Sequence, residues 1–128
     1  FVPRHFPLPQ HKNAPVASYA AEAAGLQGKF WEMHNMIYET QTAWSDSDDA
    51  KSIFTKYASD LSLDTDKFST DIDSPKIKDA VARGTADGNL IGIDSTPTFF
   101  VNGQKIPLPE SYDDFKKLIE NAVEVTGE

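Results

Sequence analysis

Apolar residues recur at helical spacing over most of the chain and at strand spacing only towards its two ends. Val16, Tyr19, Ala20 and Ala23 fall at i, i+3, i+4 and i+7, behind Asn13 as an N-cap and with Pro15 in the first turn. A second helix over about 27–41 places Phe30, Met33, His34 and Ile37 on one face and Trp31 and Tyr38 on its flank, and it ends at the turn from Thr42 to Asp46. Tyr19, Phe30 and Trp31 read as core; Trp44, in a polar turn, reads as surface. Asp46, Asp48 and Asp49 are available to cap a helix over 50–59, with Ile53, Phe54 and Tyr57 on its buried side. A short helix begins at Asp64 and carries Phe68 and Ile72. Ser74-Pro75 then opens a longer one through Ile77, Val81 and Leu90. The small residues Ala80, Ala82, Gly84, Ala86 and Gly88 would let this helix lie close to a neighbour.

The ends differ from this helical centre. Residues 1–9, with Val2, His5, Phe6 and Leu8 before a Pro-Leu-Pro exit, predict a short strand whose prolines limit its pairing. Thr98 to Val101 are β-branched or aromatic, as a buried strand prefers. Asn102-Gly103 supplies the two positive φ values of a type I′ hairpin, so Gln104 to Ile106 should return antiparallel. The Thr96-Pro97 step just before this run is a place where a chain can hold a cis bond, because X-Pro bonds lose most of the trans preference. Ser111 with Asp114 opens a final helix whose stripe is Tyr112, Phe115, Leu118, Ile119, Ala122 and Val123.

Composition narrows the function. At 128 residues the chain reads as one domain, and 39% apolar content supports a folded core rather than disorder. A net charge of -8, with no basic run longer than Lys116-Lys117, argues against nucleic acid, which needs a basic footprint. No stretch approaches the length of apolar sequence that spans a membrane. Phe1 stands where an initiator methionine is expected, which reads as a processed or cut end. There is no cysteine, so the chain by itself can form no disulfide and perform no thiol chemistry.

The run from Ser95 to Ile106 resembles the cis-proline loop and hairpin of the thioredoxin superfamily. More narrowly, the chain is similar to the DsbA-like thiol:disulfide oxidoreductases. Arg4-His5-Phe6-Pro7-Leu8-Pro9, His11-Lys12-Asn13-Ala14, Ala20-Ala21-Glu22-Ala23-Ala24 and Gln27-Gly28-Lys29-Phe30-Trp31-Glu32-Met33-His34 follow in the order of that family. The resemblance implies an α/β protein: an incomplete thioredoxin-like fold with a helical insertion between the first strand present and the C-terminal β-hairpin plus helix. It implies a single truncated domain, with strand and exit at 1–9, helices at 13–92, and cis-proline hairpin and final helix at 96–125. The family's Cys-X-X-Cys pair would lie before residue 1, on a strand-helix unit that is absent. Its loss would leave sheet edges near Val2 to Phe6 and Thr98 to Val101, and such edges invite a homo-dimer or strand exchange.

The implied role is the C-terminal portion of a protein that forms or rearranges disulfides in extracytoplasmic, for example periplasmic, proteins. Its partners would be unfolded or extended substrates and a redox partner, with no cofactor. Thr96 and Pro97 are the expected substrate-binding residues, pairing with an extended peptide as an added strand. No catalytic residue is expected in this chain, because Ser95 and Thr98 lack an oriented base. His5, His11 and His34 form no metal-binding spacing, so no metal site is expected, and His5 and His34 read as packing or hydrogen-bonding residues. Glu22 and Glu32 read as solvated helix faces rather than an acid-base pair. The alternatives are a glutathione-dependent transferase or isomerase of the same superfamily, or a redox-inactive peptide-binding module.

Overall fold

A computed structural model describes residues 1–126, and for 125 and 126 the backbone only. The single domain expected from length resolves into two compact units, Phe1–Gly92 and the residues from Ile93 onward, and each is taken by itself.

The first unit is helical: α1 (Ala14–Gly25), α2 (Phe30–Glu39), α3 (Gln41–Trp44), α4 (Ala50–Asp60), α5 (Thr65–Asp71) and α6 (Pro75–Leu90). Helix α1 is its centre, touching α2, α4, α5 and α6. That position follows from its sequence, since Ala17, Ala20, Ala21, Ala23 and Ala24 are all buried and carry nothing beyond Cβ to hold neighbours apart. The larger Val16 and Tyr19 sit at the margin of the core. Phe54, Phe68, Met33 and Ile72 are the largest fully buried side chains and fill the space around α1.

Short-range caps start the later helices where the sequence places them. Asp49 accepts from the Ser52 amide, Asp64 from the Lys67 amide, and Ser74 from the Ile77 amide with Pro75 at the first helical position. Each bond satisfies one of the donors a helix start leaves unpaired.

Four expectations for this unit are corrected. Residues 1–8 form no strand. A strand exists only as part of a ladder, Pro3 and Pro7 lack donors, and no described segment pairs with this one. Side chains hold it instead. Arg4 meets Asp87 of α6 at 3.9 Å, and His5 meets Glu22 of α1 at 2.7 Å. At Gly84 the chain comes so near that a Cβ there would lie 2.7 Å from the His5 carbonyl oxygen, so the small residue in α6 is required by a close approach. Second, Asn13 precedes α1 but makes no side-chain cap; its amide reaches elsewhere. Third, Trp44 is buried and Trp31 is 44% exposed, the reverse of expectation. Residues 41–44 fold into α3, which turns the Trp44 ring onto Phe54 at 5.5 Å and lets its Nε1 donate to the Ile37 carbonyl at 2.8 Å. That carbonyl lies in the last turn of α2, where no helical donor remains to reach it. Fourth, Leu90, at the end of α6, is exposed.

The second unit holds β1 (Phe99–Val101), β2 (Gln104–Ile106) and α7 (Tyr112–Thr126). The strands pair antiparallel, with Phe99 opposite Ile106 and Val101 opposite Gln104. Asn102 and Gly103 have φ of 49° and 80°, as the Asn-Gly hairpin requires. Ser111 Oγ accepts from the Asp114 amide at 3.1 Å and donates to the Asp114 carboxylate at 2.7 Å, a reciprocal cap that starts α7. Phe115 meets Phe99 of β1 at 5.1 Å between ring centroids. Of the expected α7 stripe, Phe115, Leu118 and Ala122 are half-buried, whereas Tyr112, Ile119 and Val123 are exposed. The whole is α/β, with helices and one small antiparallel sheet.

Candidate functional site: the Ser95–Thr98 loop

The loop entering β1 is shaped by its own hydroxyls and proline. Thr98 Oγ1 donates to the Ser95 carbonyl at 2.7 Å, closing a short turn over Thr96 and Pro97. The Thr96-Pro97 peptide bond is cis, as the sequence predicts. Both residues are exposed, and among the described residues no backbone–backbone hydrogen bond engages residues 95–98. Downstream, the Phe99 ring rests against that of Phe115 at 5.1 Å between centroids.

Beside it lies a cleft of about 160 Å³ bounded by Ser95, Pro97, Thr98 and Phe99 on one side and by Lys105, Ile106, Pro107 and Leu108 on the other. Pro97 lines this cleft; Thr96 stands next to it without lining it. Lys105 and Leu108 are the residues that sequence reasoning missed. The signal for them is the hairpin register: Ile106 opposite Phe99 carries the Ile-Pro-Leu run back past the loop. Its described lining sets the Lys105 ammonium and the Ser95 and Thr98 hydroxyls beside apolar side chains, with no carboxylate or imidazole among the described residues. Among the described residues it offers no nucleophile with an oriented base.

The remaining candidates lie in the first unit. His5 Nε2 and Glu22 Oε1 are 2.7 Å apart, and this hydrogen bond, with the nearby imidazole charge, holds the Glu22 carboxyl below the usual carboxylate range against the opposing effect of burial. Glu32 is engaged by Lys29 at 3.1 Å, so Glu22 and Glu32 have separate partners and form no acid-base pair. His34 Nδ1 lies 3.2 Å from Asn35 Oδ1, and His11 is exposed. Among the described residues no three His, Cys, Asp or Glu side chains converge as a metal site would need.

Comparison with known proteins adds the following. Residues 1–121 match the protein-family model described as Thioredoxin. The chain is 38% identical over 113 residues to the Na(+)/H(+) antiporter NhaA of Herminiimonas arsenicoxydans, covering 88% of this chain and 17% of that protein. It is 39% identical over 106 residues to Na(+)/H(+) antiporter NhaA 1 of Salinispora arenicola, covering 82% and 16%. For Na(+)/H(+) antiporter NhaA 1 of Mycolicibacterium vanbaalenii the figures are 38% over 108 residues, covering 80% and 16%. The chain thus spans only 16–17% of the length of these relatives. No solved structure matches it.

Proposed function

We propose, from the premise that this chain belongs to the thioredoxin family, that it is the substrate-docking portion of a DsbA-like thiol-disulfide oxidoreductase. The observation that carries this reading is the exposed Thr96-Pro97 loop, without backbone pairing among the described residues and set beside a cleft in which Pro97, Phe99, Ile106 and Leu108 alternate with the polar Ser95, Thr98 and Lys105. An extended peptide would lie along the loop, exchanging hydrogen bonds with the Thr96 backbone and setting an apolar side chain against Pro97, Phe99 and Ile106. The chain supplies the docking and none of the electron transfer, since exchange proceeds by attack of a thiolate and the chain has no sulfur nucleophile. Its thiol partner, its unfolded substrates and an oxidising extracytoplasmic setting belong to the same proposal.

The experiment is a backbone-amide NMR titration of the chain with an extended, cysteine-free peptide. Shifts concentrated at Thr96, Thr98, Phe99 and Lys105, and abolished by Thr96→Pro, which removes the amide donor, support docking. Shifts that bypass this loop, or binding that survives Thr96→Pro unchanged, overturn it.

A second reading is favoured by the names of the relatives: the chain is a thioredoxin-family segment of a longer transport protein. Among the described residues no helix is long and apolar enough to cross a membrane, so the ion path would be built by other sequence. Reading the coding sequence on both sides of this segment distinguishes the two: apolar spans favour the second, a Cys-X-X-Cys pair alone the first.

A further inference from the structure

Lys105 is the one ionisable side chain among the described residues that line the cleft beside the Thr96-Pro97 loop. Several lysines of the chain are neutralised by a neighbour: Lys29 meets Glu32, Lys51 meets Asp73 and Lys116 meets Glu120. Lys105 is exposed and has no ion-pair partner among the described residues. Asp94 and Glu110, the carboxylates nearest to the lining residues in sequence, neither line the cleft nor pair with Lys105 among the described residues. The hydroxyls differ in what they have left to give. Thr98 Oγ1 commits its proton to the Ser95 carbonyl at 2.7 Å, whereas Ser95 Oγ has no partner among the described residues and can donate.

An ammonium and a free hydroxyl at the rim of a partly apolar cleft complement a carboxylate carried close to an apolar side chain. The carboxylate gains charge-assisted bonds from both donors, a carboxamide in its place gains only neutral-acceptor ones, and a second ammonium sets like charges together. The volume of about 160 Å³ is below the roughly 300–1,000 Å³ of pockets that take whole small molecules, and it suits a side chain of a longer polymer. In an extended chain residues i and i+2 share a face, so the carboxylate and the apolar side chain that meet the cleft together stand two positions apart.

We infer that Lys105 makes this cleft selective for extended polypeptide segments with an acidic residue two positions from an apolar one, the carboxylate meeting Lys105 and Ser95 and the apolar side chain meeting Pro97 and Ile106. The inference rests on the docking role proposed above and adds to it a sequence preference and the residue that sets it. Because Lys105 is exposed, water and salt weaken the pair, and the preference is correspondingly modest.

The test is an amide NMR titration, read at Thr98 and Phe99, with acetylated, amidated peptides of alternating valine and serine whose central valine is replaced by glutamate, glutamine or lysine. The blocked ends leave the central side chain as the one charge. The glutamate peptide should bind about threefold to fivefold more tightly than the glutamine peptide, and the lysine peptide least well. Lys105→Gln should abolish that difference, Lys117→Gln, which removes the same charge from α7, should keep it, and Lys105→Glu should reverse the order in favour of the lysine peptide. Equal affinity for the glutamate and glutamine peptides overturns the inference while leaving docking at the loop intact. A glutamate preference that survives Lys105→Gln, or that Lys117→Gln removes as fully, overturns it as well, since the charge at the cleft would then not be its source. Absence of binding by all the peptides overturns the docking role and the inference with it.

Discussion

The amide of Asn13 donates to the carbonyl oxygen of Trp44 at 2.7 Å, across 31 positions of sequence, and the same nitrogen lies 3.1 Å and 2.8 Å from the carbonyls of Ser45 and Ser47. Trp44 in turn donates from Nε1 to Ile37. The start of α1, the loop after α3 and the end of α2 are thus joined through two side chains, which give donors to the Ser45, Ser47 and Ile37 carbonyls and a second donor to that of Trp44, already bonded to the Ser47 amide.

Asn13→Ala should therefore destabilise the first unit by about 1–3 kcal/mol, because the half-buried Ser45 and Ser47 carbonyls lose their side-chain donor. Asn13→Asp should cost more, since it sets a carboxylate against three carbonyl oxygens. Urea unfolding of both variants checks this; a change in Asn13→Asp below that of Asn13→Ala would refute the account.

The two tryptophans should behave oppositely. Trp44→Ala is expected to cost about 3–5 kcal/mol, as removal of a buried large aromatic does. Trp31→Ala should cost about 1 kcal/mol or less. In quenching experiments acrylamide should reach Trp31 well before Trp44, measured on the single-tryptophan variants Trp44→Phe and Trp31→Phe.

Gly84→Ala ought to raise helix propensity by about 1 kcal/mol in isolation. Here it should destabilise, because the new methyl would collide with the His5 carbonyl, and forced displacement in a packed region costs about 1–3 kcal/mol. Loss of the His5–Glu22 hydrogen bond, seen in the imidazole resonances, would accompany it. A net gain in melting temperature would contradict the close approach.

The carboxyl of Glu22 is held down in the folded state chiefly by its bond to His5. A carboxyl lowered on folding adds stability that is fully present above its unfolded pKa, about 4.3, and is lost as pH falls through the lower folded value. Stability should thus fall on acidification below about pH 4.5, and Glu22→Gln should make that fall shallower. Identical slopes for both proteins between about pH 2 and 5 would exclude this contribution.

The purified chain should neither reduce insulin nor oxidise a dithiol peptide above the buffer rate, because thiol-disulfide exchange requires a thiolate. Turnover by this cysteine-free material would defeat the division between docking and electron transfer.

What the sequence determined alone is local. The caps at Asp49, Asp64, Ser74 and Ser111 and the Asn102-Gly103 turn are all where the residues place them, because each rests on a bond or a dihedral preference spanning at most three positions. The Thr96-Pro97 loop and its hairpin were legible for the same reason, whereas Lys105 and Leu108 joined the cleft only through the strand register. Tertiary structure decided the rest. Helical spacing shows which residues share a face but not which face meets a neighbour, so Trp31 turned outward and Trp44 inward once α3 packed against Phe54. Residues 1–8 carry strand-forming side chains, yet a strand is a property of two segments, and with no ladder to them among the described residues Arg4, His5 and the bare backbone of Gly84 set their course.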